Sequence, residues 1–109
     1  MNFDFTSGRI TIVVAPIDMR SGYARLSFYA SAVLDIDVDK GEDFVVFISR
    51  RRQIVKMIWR DERGSAVLTR RLNTGRFEQF LVRANQNTVA LTADDLMSFL
   101  DGEPIFEKP

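Results

Sequence analysis

Residues 44–77 read FVVFISRRRQIVKMIWRDERGSAVLTRRLNTGRF. Three runs inside this stretch, 44–50, 54–61 and 65–72, are rich in β-branched and other apolar residues, and short polar segments separate them. Runs joined so tightly predict consecutive hairpins, hence an antiparallel meander. DERG, with its glycine last, suits a type I turn followed by a left-handed residue, and NTGRF supplies a second glycine break.

Outward from the meander the pattern changes. Upstream, residues 9–15 (RITIVVA) form a β-branched run stopped by Pro16, which predicts a first strand. The loop PIDMRSG follows. Between residues 23 and 34, Tyr23, Leu26, Tyr29, Ala30, Val33 and Leu34 recur at three- and four-residue spacing, which predicts an amphipathic helix with Ser21 as its N-cap. An acidic run, DIDVDKGED, leads into the meander. Downstream, residues 77–83 (FEQFLVR) read as a fourth meander strand and 89–91 as one more short strand. Thr92 with Asp95 three residues later resembles a capping box that opens a helix over 93–100, ended by Gly102. The expected fold is α+β: one domain over 1–109, an antiparallel β-meander sheet with a helix from the N-terminal half packed on one face, and a short C-terminal helix. Residues 1–8 and 104–109 are expected to be loosely held ends.

Composition narrows the function classes. The 109 residues are 46% hydrophobic and 28% charged, which are ordinary globular values. Cysteine and histidine are both absent, which removes disulfides, thiolate nucleophiles, the commonest metal ligand and the usual general base near neutral pH. The first ten residues lack the basic-then-apolar order of a signal peptide, and no apolar run approaches the roughly 20 residues of a membrane helix. A cytoplasmic, membrane-free protein without cofactors is the expectation.

The charge is unevenly placed. Nine of the fifteen basic residues fall between 49 and 77 although the formal net charge is zero. Residues 1–43 sum to minus three, 44–83 to plus seven and 84–109 to minus four. Alternation along 54–61 puts Val55, Met57 and Trp59 on one face, which reads as core, and Lys56, Ile58 and Arg60 on the other, which leaves the lysine and arginine outward. With Arg70 or Arg71 of the next strand and the Arg50, Arg51, Arg52 turn, this predicts a basic stripe along one sheet face and its edge. A solvated face paired with the acidic flanks is one account of it. The other is a phosphate-binding surface, because twelve of the fifteen bases are arginines and the guanidinium fork matches phosphate oxygens. The candidate nucleic-acid-binding residues are Arg50, Arg51, Arg52, Lys56, Arg60, Arg70, Arg71 and Arg76.

Catalysis has little to build on. Asp18 stands in a loop, Asp61 and Glu62 stand in a hairpin turn, and turn or capping roles account for them better than convergence on two metal ions. No Gly-rich phosphate loop is present, and Ser21 and Ser65 have no histidine partner. No catalytic residue and no metal ligand is assigned. Trp59, flanked by alternating apolar residues, reads as a core anchor, and Asp18 and Arg20 read as a local pair that orders the loop before the helix.

APIDMRSG, RRRQIVKMIWRDERG, TRRLNTGRF and LTADDLMSFLDG, in that order and spacing, resemble the TnpB-type accessory protein of the insertion-sequence-66 family of bacterial transposons, the product of its second reading frame. The resemblance runs from about residue 9 to residue 103. It carries the family-motif loop Asp18, Arg20 and Gly22, the hairpin positions Phe47, Lys56, Trp59, Asp61 and Gly64, and Arg71, Leu72, Gly75, Arg76 and Phe77 beyond them. Arg25 replaces a usual glycine, Arg60 a second aromatic, and Gln79 and Phe80 a tryptophan and proline. The resemblance implies a non-enzymatic protein of DNA transposition that acts beside a separate transposase. Its expected partners are duplex DNA with weak sequence preference and that transposase. The alternative is a protein-interaction module, docking on the transposase or self-associating through complementary charged surfaces, without direct DNA binding.

Overall fold

β1 (Arg9–Val13), β2 (Asp43–Ile48), β3 (Ile54–Asp61), β4 (Gly64–Arg71) and β5 (Thr88–Leu91) pair into one sheet in the order β4-β3-β2-β1-β5, in a computed structural model that describes residues 4–80 and 87–105. The predicted meander is present: β2 pairs antiparallel with β3, and β3 with β4, through continuous registers such as Val46↔Met57 and Met57↔Leu68. The sheet as a whole is mixed, because β1 lies parallel to β2 (Ile12↔Val46) and antiparallel to β5 (Ile12↔Val89). The cause is α1 (Tyr23–Leu34), which fills the link from β1 to β2. A helical crossover returns the chain to the end where it started, so the next strand must run parallel.

The second departure from expectation concerns the faces. Ile10, Ile12, Phe44, Val46, Val55, Met57 and Trp59 pack against Leu96, Phe99 and Leu100 of α2 (Ala93–Leu100) and against Phe77 and Phe80. On the opposite face Val13, Val45, Phe47 and Ile58 pack under Leu26 and Ala30 of α1 and under Val38 of the 3-10 turn Val38–Lys40. Ile58 is therefore fully buried, and the face it shares with Lys56 is the one that α1 covers, not one open to solvent. Strand β2 carried the signal. Its DFVVFI run has no polar alternation, every residue in it is buried, and strands covered on both faces read that way.

Local details follow the same physical logic. Thr92 caps α2 as predicted, its Oγ1 accepting the Asp95 N–H at 3.1 Å. Ser21 does not cap α1: Gly22 holds that position in extended conformation, while Ser21 is buried one residue earlier. Residues 77–80 are not a strand. Phe77 and Phe80 instead turn inward onto Phe99, with ring centroids 5.2 and 5.5 Å away, and the rest of that expected strand lies outside the described residues. Trp59 sits in the core beside Phe44, and Phe5 meets both rings edge-on. At the other end of the described chain the Ile105 N–H bonds a Glu78 carboxylate oxygen at 3.1 Å.

Candidate nucleic-acid interface at one end of the sheet

Strand directions decide where the basic residues gather. β1, β2 and β4 finish, and β3 and β5 begin, at the same end of the sheet. Three connections meet there: the loop after β1, the turn from β2 to β3, and the segment leaving β4. Backbone hydrogen bonds join them. The Ile17 N–H reaches the Ile48 carbonyl at 3.5 Å, Leu72 N–H the Gln53 carbonyl at 2.9 Å, and Phe77 N–H the Arg52 carbonyl at 2.7 Å. Arg20, Arg50, Arg51, Arg52, Arg71 and Arg76 all lie on these connections or at the strand end beside them.

These bases differ in what they already hold. Arg50, Arg51, Arg71 and Arg76 are exposed and form no ion pair with a described residue. Arg52 is half-buried, and its Nη1 donates to the Phe77 carbonyl at 3.2 Å, so side chain and backbone together tie the β2–β3 turn to the segment after β4. Lys56 is also half-buried. Its Nζ donates to the Ser21 carbonyl at 2.9 Å, which fastens the loop before α1 to the sheet.

Two candidates stand outside this cluster, Arg60 by its end of the sheet and Arg70 by its face. Arg60 sits near the opposite end of β3, 3.6 Å from Asp39. Arg70 shares the α2 face with Val55 and Met57, and its Nη1 reaches the Leu100 carbonyl at 3.2 Å and Asp101 at 3.4 Å, where a cation complements the C-terminal end of a helix. Lys56, Arg60 and Arg71 share one sheet face, as strand alternation predicts, and the turns add Arg50, Arg51 and Arg76 beside Arg71 at one sheet end. The turns bring these arginines together across strands.

The loop Asp18–Arg20 forms the local pair that the sequence predicts. Asp18 accepts the backbone N–H of Arg20 at 2.9 Å, and its two oxygens receive the guanidinium at 2.9 to 3.2 Å. The side-chain bonds from Arg20, then its backbone N–H, hold the Asp18 carboxyl at about 2, below its ordinary 3.8. Gly22 has open space where a Cβ would stand, so neither crowding nor its backbone angles require glycine there.

Acidic groups collect at the other sheet end. Asp4, Asp39, Asp43, Asp61 and Glu62 line one open cleft together with Arg60 and Arg63. Asp43 is buried and held bidentately by Arg9 at 3.0 Å. Near the basic end the carboxylates are mostly engaged: Asp18 with Arg20, Asp101 with Arg70, and Glu78 with the Ile105 N–H. Among the described residues no three acidic side chains lie together as a metal-holding group. None of the described helices is long and apolar enough to cross a membrane.

Comparison with known proteins agrees with the motif order. Over 94 residues, 86% of this chain and 79% of the relative, the sequence is 33% identical to the uncharacterized protein y4hO of Sinorhizobium fredii (strain NBRC 101917 / NGR234). No solved structure matches the chain. The family described as "IS66 Orf2 like protein" matches residues 8–108, from the start of β1 past α2 and through every element that builds the basic end. This chain therefore belongs to the IS66 Orf2-like family.

Proposed function

We propose that this chain is an accessory protein of IS66-type transposition that binds the DNA backbone through the basic end of its sheet and assists a separate transposase, which carries out the strand chemistry. The observation that carries the reading is the convergence of Arg50, Arg51, Arg71 and Arg76. Two come from the β2–β3 turn and two from the end of β4 and the segment after it, all four are exposed, and no described carboxylate pairs with them. Guanidinium groups gathered at one end of a sheet suit backbone phosphates, and such bonds give affinity without base readout. Arg52 and Lys56 serve this surface by positioning it, since each is fastened by a hydrogen bond, to the Phe77 and Ser21 carbonyls respectively.

The test is fluorescence anisotropy of a labelled generic duplex against the purified protein at several salt concentrations. Binding should fall steeply with salt. Replacing Arg50, Arg51, Arg71 and Arg76 by alanine should flatten the logarithmic salt slope by up to about 0.9 for each phosphate that is no longer neutralised. An unchanged slope in that variant would overturn the assignment. The segregation of charge to two ends supports a second reading, in which the basic end docks on an acidic protein surface of the transposase or of another copy. Transposase co-purification that survives nuclease treatment, with no duplex binding at low salt, would select it.

A further inference from the structure

The outer side of α1 does not look like a helix face meant for water. In a chain that is 28% charged, Arg25 is the only charged residue within Tyr23–Leu34. Phe28 is 72% exposed, within a stripe formed by Ala24, Arg25, Phe28, Ser31, Ala32 and Asp35, all of them exposed. Solvent-facing helix sides normally carry charged and polar groups, whereas this stripe holds one charge inside the helix beside an exposed phenyl ring.

The two charges at the ends of this stripe indicate what covers it. Arg25 lies in the first turn, and Asp35 is the left-handed C-cap residue, with φ 57. Neither forms an ion pair with a described residue, and Arg25 is only a minor influence on Asp18, which Arg20 already holds. They stand at equal distances on either side of position 30, midway along the stripe. A second α1 laid antiparallel across that point brings Arg25 of each copy opposite Asp35 of the other and Phe28 opposite Ala32. A parallel pair would oppose like charges, so charge selects the antiparallel, self-complementary arrangement of a two-fold dimer.

We propose that this chain forms a symmetric homodimer through the exposed face of α1, built around Phe28 and framed by reciprocal Arg25–Asp35 pairs. The surface is a helix face that contains none of Arg50, Arg51, Arg71 and Arg76, and it does not depend on the DNA reading. One three-turn helix per copy makes a small interface, so the dimer is weak, concentration-dependent and weakened by salt.

Sedimentation equilibrium of the intact protein, from low to high micromolar concentration, should show a monomer–dimer equilibrium. Phe28→Asp should weaken association by about tenfold or more. Its thermal melt should be unchanged, because the ring is mostly in solvent. Arg25→Glu alone should weaken the dimer by setting Glu against Asp35, and so should Asp35→Arg alone. The double exchange R25E/D35R should restore association. Circular dichroism melts of all the variants separate unfolding from failure to associate. A monomer throughout the range would overturn the proposal, and so would a dimer indifferent to Phe28→Asp and to the charge exchange. Loss of single-stranded DNA binding in Phe28→Asp, with the wild-type chain monomeric, would also overturn it and assign the face to nucleic acid.

Discussion

At the scale of single residues, Arg52 shows how a base that looks available for a ligand can be a structural part. It adopts a left-handed conformation (φ 58) in the β2–β3 turn, and its guanidinium holds the Phe77 carbonyl. Two substitutions separate these roles. Arg52→Gly removes the side-chain bond but relieves the backbone, whereas Arg52→Ala removes the bond and keeps the unfavourable angle. Urea denaturation should therefore find the alanine variant less stable than the glycine variant by about 1 kcal/mol. Equal stabilities would refute the left-handed account. Asp18 gives a pH prediction. Its folded-state pKa is depressed, so the Asp18–Arg20 bond contributes fully above the unfolded value of 3.8 and is lost as the pH falls through about 2. A carboxyl titration followed by NMR should show Asp18 near that lower value in the wild type and returning toward 3.8 in Arg20→Ala.

At the scale of elements, β3 carries the main lesson. Its boundaries were legible to the residue, and so was the inward face of Val55, Met57 and Trp59. The other face was not. Lys56 and Arg60 on either side of Ile58 suggested solvent, but Lys56 reaches along the sheet to Ser21 and Arg60 to Asp39, leaving Ile58 to close the core under α1. Long basic side chains can cover apolar surface with their stems, so polar neighbours do not guarantee an exposed face. Ile58→Ala should therefore cost about 2–5 kcal/mol in chemical denaturation, as for a truncated core residue. An effect within about 0.5 kcal/mol, typical of surface positions, would contradict the two-faced core.

For the whole molecule, charge placement counts for more than charge total. The formal net charge is zero, yet Arg50, Arg51, Arg71 and Arg76 crowd one sheet end while Asp39, Asp61 and Glu62 lie toward the other. A local field of this kind acts on a polyanion even when the total cancels. The protein should be retained on a phosphocellulose matrix at neutral pH and low salt, and the variant with all four arginines replaced by alanine should pass through. Retention of both would show that the cluster is not the binding element. The sequence by itself determined the helices Tyr23–Leu34 and Ala93–Leu100, the β2–β3–β4 hairpins, the capping of α2 and the burial of Trp59, because each depends on residues close together along the chain. It also carried the motif order that marks the family. Only the tertiary structure decided that β1 joins parallel beside β2, that Ile58 is core, and that arginines from separate connections meet at one end. Those outcomes depend on which strands become neighbours and what packs over each face, and local periodicity carries no information about partners distant in sequence.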